Sequence, residues 1–108
     1  TDWPRIAALY AELASVARSP IVELNRAVAV GMAEGPAAGL VLVDRLAHEP
    51  ALKNYHLLGS VRGDLLHKLG RFAEARAAFA AAAELAGNRR EQDFLRRRAA
   101  EAGAAARS

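Results

Sequence analysis

Few residues in this chain have both the type and the spacing for chemistry. Of three histidines, His56 and His67 stand eleven apart on one predicted helix, about 16 Å along its axis, too far to share a metal ion. His48 falls at the end of another helix, where a histidine favours the dipole. No cysteine is present, which excludes disulfides, thiolate metal sites and a cysteine nucleophile. Ser15, Ser19 and Ser60 have no base at a useful spacing, and the chain carries no glycine-rich phosphate loop. These residues predict no enzyme, metal or cofactor.

What remains is charge set among apolar residues. In PIVELNRAVAVGMAEGP, Asn25 and Arg26 interrupt an otherwise apolar helix. Arg62 occupies a similar helix further on. Buried charge persists only when paired, so Arg26 and Arg62 are expected to bond a carboxylate such as Glu23 or Asp44, or carbonyl groups, and so fix helix stacking. A ligand carboxylate on Arg26 is the competing expectation.

The elements that position these residues are helices. The 108 residues are 53% hydrophobic but only 6% aromatic, a composition rich in alanine that favours close helix packing. Apolar residues recur at three and four, predicting six helices in one all-α domain over residues 1–108. Asp2 caps the first helix, which runs to Ser19. Helices over 20–33 and 36–48 form one antiparallel hairpin, and helices over 52–69 and 71–86 form another through Gly70. Asn88 caps a polar sixth helix ending near Ala102, and residues 104–108 are expected to fray.

Net charge is +3, with the excess in the C-terminal stretch: residues 87–108 hold six arginines against three acids. Arg89, Arg90, Arg96, Arg97 and Arg98 are candidate phosphate contacts, although a solvated helix face is the first expectation for such a charge run. No apolar run reaches the length of a membrane span. The chain does not open on methionine or on a basic leader, and reads as a cytoplasmic piece of a longer protein.

The second hairpin resembles a tetratricopeptide repeat, with Gly63, Gly70, Ala75, Phe79 and Ala82 at its small, turn, small, bulky and small positions. The first hairpin matches at a spacing of 37 residues, with Ala38 and Leu42 as counterparts of Ala75 and Phe79 and Arg26 in the place of Gly63. The resemblance implies antiparallel hairpins stacked in a right-handed superhelix. It also implies a peptide groove lined by Glu23, Ala27, Val30, Ser60, Asp64, His67 and Lys68, although Asp64 and Lys68 also suit a plain surface pair.

Four stretches carry a narrower resemblance: WPRIAALYAEL, SPIVELNRAVAVGMAEGPAAGL, YHLLGSVRGDLLHKLGRFAEARAAFAAAAELAGN and REQDFLRRRAAE. Together they resemble the C-terminal tetratricopeptide-like extension of bacterial extracytoplasmic-function sigma factors. That implies a non-catalytic regulatory domain, with the sigma core regions of the same chain, RNA polymerase or a YCII-related protein as partners. Promoter DNA would then be read by regions outside this chain. A stand-alone tetratricopeptide adaptor and a basic nucleic-acid module are the alternatives.

Overall fold

A computed structural model describes residues 1–108. The fold is all-α: α1 (Trp3–Ala17), α2 (Pro20–Glu34), α3 (Pro36–Leu46), a single 3-10 turn (Pro50–Leu52), α4 (His56–Lys68), α5 (Phe72–Leu85) and α6 (Arg89–Ala106). None of these helices is long and apolar enough to cross a membrane.

The expected single domain separates into two compact units, Thr1–Lys53 and Asn54–Ser108. The division has a local cause. The helix expected over 52–69 is broken at its start: Leu52 is buried within the 3-10 turn that meets α2, and α4 begins only at His56 after the extended Tyr55. The apolar residue that would have opened the helix therefore serves the first unit.

In the first unit, α2 packs against both α1 and α3. Asp2 caps α1, its Oδ1 accepting the Arg5 N–H at 3.2 Å, with proline in the first turn. Arg18 closes α1 in the left-handed conformation, φ 46° and ψ 39°, which costs a non-glycine residue about 1 to 2 kcal/mol. Only Gly35 separates α2 from α3, so the two helices double back as a tight hairpin. Ala7, Ala29 and Val30 form a small core flanked by Trp3, Ile6, Tyr10 and Leu42.

In the second unit α5 packs against both α4 and α6. Gly70, at φ 77°, closes α4: its N–H donates to His67 O, and Arg71 N–H donates to Leu66 O at 2.9 Å. This paired pattern satisfies carbonyls that the helix end leaves open, and it needs a residue without a Cβ penalty. Phe79 and Leu66 are fully buried, and Ala75, Ala82 and Ala83 on α5 are buried as well. Asn88 caps α6, its Oδ1 accepting from Glu91 N–H at 2.9 Å. The helix runs four residues beyond the expected Ala102, because Ala102 and Gly103 are themselves buried against the unit.

Burial also corrects the repeat register. The buried small residues of the first hairpin are Ala27 and Gly39, and its fully buried bulky residue is Val43. They stand 36 residues before Gly63, Ala75 and Phe79. Each hairpin has a contact that leaves no room for a Cβ: one on Gly39 would come 2.8 Å from the backbone oxygen of Ala27, and one on Gly63 would come 2.8 Å from the Phe79 ring. Ala27, not Arg26, therefore holds the place of Gly63. The 37-residue alignment fails because Ala38 and Leu42 are only half-buried, whereas the close approach of α2 to α3 selects their neighbours.

Candidate functional site

At the corrected spacing Arg26, Arg62 and Arg98 fall 36 residues apart, one each on α2, α4 and α6. The best defined surroundings are those of Arg98. Its Nη2 donates to Asp64 Oδ1 of α4 at 2.7 Å, its Nη1 donates to Glu101 at 3.1 Å, and its guanidinium lies 4.9 Å from the centroid of the Phe79 ring. The side chain is only 21% exposed. Pairing with carboxylates and stacking on an aromatic face together hold this charge in place. Arg98 is thus a link between α4, α5 and α6, and of the five arginines expected to meet phosphate it is the one already engaged; Arg89, Arg90, Arg96 and Arg97 are exposed on α6.

Arg26 is held far more loosely. Its Nη1 donates to Glu23 Oε2 at 3.4 Å, the long limit of such a bond, while the side chain remains 33% exposed. Its Nε is buried and has no partner. An unmet buried donor costs roughly 1 to 3 kcal/mol, so this arginine is incompletely satisfied within the chain. It closes one end of a cleft of about 330 Å³ between α1 and α2, lined by Pro4, Ala7, Ala8 and Ala11 on one side and Val30, Ala33 and Glu34 on the other. Asn25, its neighbour in sequence, is exposed rather than buried, since consecutive positions on a helix point about 100° apart.

The expected groove residues divide in two. Ala27 is 0% exposed and Val30 is also buried, because both serve the packing of α2. Glu23 is half-buried on Arg26. Ser60 lines a second, smaller cleft with His56, Leu57, Glu91, Phe94 and Leu95. Asp64 bonds Lys68 at 3.4 Å as well as Arg98, so it both forms the surface pair and ties α4 to α6. His67 meets the edge of Phe72, centroids 4.9 Å apart.

Two features were missed from the sequence. His56 Nε2 and Glu91 Oε2 lie 2.9 Å apart and join the start of α4 to the start of α6, a contact 35 residues long with no local signal. At the 36-residue spacing the counterparts of Asp64 and Lys68 are Val28 and Met32, both exposed, so an apolar strip occupies that face of α2. On α5, Glu74 accepts two hydrogen bonds from Arg71, at 2.7 and 3.0 Å, and that bonding holds its carboxyl below the usual carboxylate range.

No protein-family model matches the chain. No solved structure matches it either. An uncharacterized protein of Rhizobium meliloti (strain 1021) is 46% identical over 96 residues, which is 89% of this chain and 22% of that protein. The chain thus spans about a fifth of the length of the curated relative it matches.

Proposed function

We propose that the chain is a non-catalytic protein-interaction and regulatory domain, carried by a sigma factor that directs RNA polymerase in transcription initiation. The observation that carries the interaction role is the repeated hairpin. Ala27, Gly39 and Val43 recur as Gly63, Ala75 and Phe79, the small, small and bulky pattern by which tetratricopeptide-like hairpins pack. Such units offer surface rather than a reaction centre. The sigma factor assignment is supported by the four sequence stretches set out above, and the match to about a fifth of a longer relative fits an appended domain. Its partners would be the sigma core regions, RNA polymerase or a YCII-related protein, in the cytoplasm.

The test is transcription in vitro with the full polypeptide and with a version lacking residues 1–108. Removal is expected to change promoter-specific initiation by at least several fold; equal transcripts, or a gene without promoter-reading regions, would overturn the sigma factor reading. A second reading rests on the exposed Arg89, Arg90, Arg96 and Arg97 of α6. It requires duplex DNA binding that weakens steeply with salt, and no binding at low salt removes it.

A further inference from the structure

We draw no further inference here: the strongest candidate, the cleft of about 220 Å³ between α4 and α6 where Leu57 and Phe94 stand exposed beside the His56–Glu91 pair, carries nothing because no feature of the structure shows what covers it.

Discussion

Gly63 of α4 lies so close to Phe79 of α5 that a Cβ on the glycine would come 2.8 Å from the ring. Ring and helix meet without a side chain between them. Gly63→Ala forces Phe79 or α4 to move, and overpacking of this kind costs about 1 to 3 kcal/mol. Amide hydrogen exchange in α4 and α5 should accelerate accordingly; unchanged exchange would mean that the ring can step aside freely.

Arg98 and Arg26 occupy equivalent places but should behave differently. Arg98→Ala loses a partly buried ion pair and a stacked ring, together worth roughly 1 to 2 kcal/mol. Arg26→Ala should cost less than about 1 kcal/mol, since its ion pair is long and a third exposed. The 3 to 5 kcal/mol typical of breaking a fully buried pair does not apply. Chemical denaturation of the two variants side by side checks the order, and a larger loss at Arg26 would reverse the assignment.

Asp64 and Arg98 should also be coupled. In a double-mutant cycle with Asp64→Asn and Arg98→Gln, the two changes are expected to depart from additivity by at least about 0.5 kcal/mol. Strict additivity would show that the 2.7 Å contact contributes nothing in solution. The same bond means that altering Asp64, His67 and Lys68 together disturbs folding as well as surface chemistry.

Arg18 holds a left-handed backbone that glycine adopts freely. Arg18→Gly removes that strain but adds freedom to the unfolded chain, leaving a net gain of a few tenths to about 1 kcal/mol. The melting temperature should rise; a fall would point to a role for the arginine side chain.

The Glu74 carboxyl, bonded by Arg71, should titrate below an ordinary glutamate in a pH series followed by NMR. Its folded-state pKa is depressed, so any stability it adds is present above the unfolded value and lost as pH falls through the lower folded one. Arg71→Gln should return the titration toward the usual range. An unchanged midpoint would exclude the hydrogen bond as the cause.

The helices were legible because capping and turn residues act locally. Asp2, Asn88 and Gly70 each do in the structure what their types suggest. The break at residues 53–55 was hidden, since Leu52 extends the apolar pattern of α4 and only burial against α2 assigns it elsewhere. The register of the first hairpin was misread by one residue, because alanine, glycine and valine are each acceptable at neighbouring positions and only the distance between α2 and α3 chooses among them. The arginines gave the better clue: their spacing of 36 is plain in the sequence, while the ring beneath Arg98 and the unpartnered Nε of Arg26 require the fold.

Trp3 is the single tryptophan, and it packs half-buried against the Ala7, Ala29 and Val30 cluster of the first unit. The molecule therefore carries an optical label on one of its two units and none on the other. Its fluorescence follows loosening around α1 and α2, where the Arg26 cleft lies, while far-UV circular dichroism follows all six helices. Comparing the two signals along one denaturation curve would reveal whether Thr1–Lys53 and Asn54–Ser108 unfold as one or in turn, without changing a single residue.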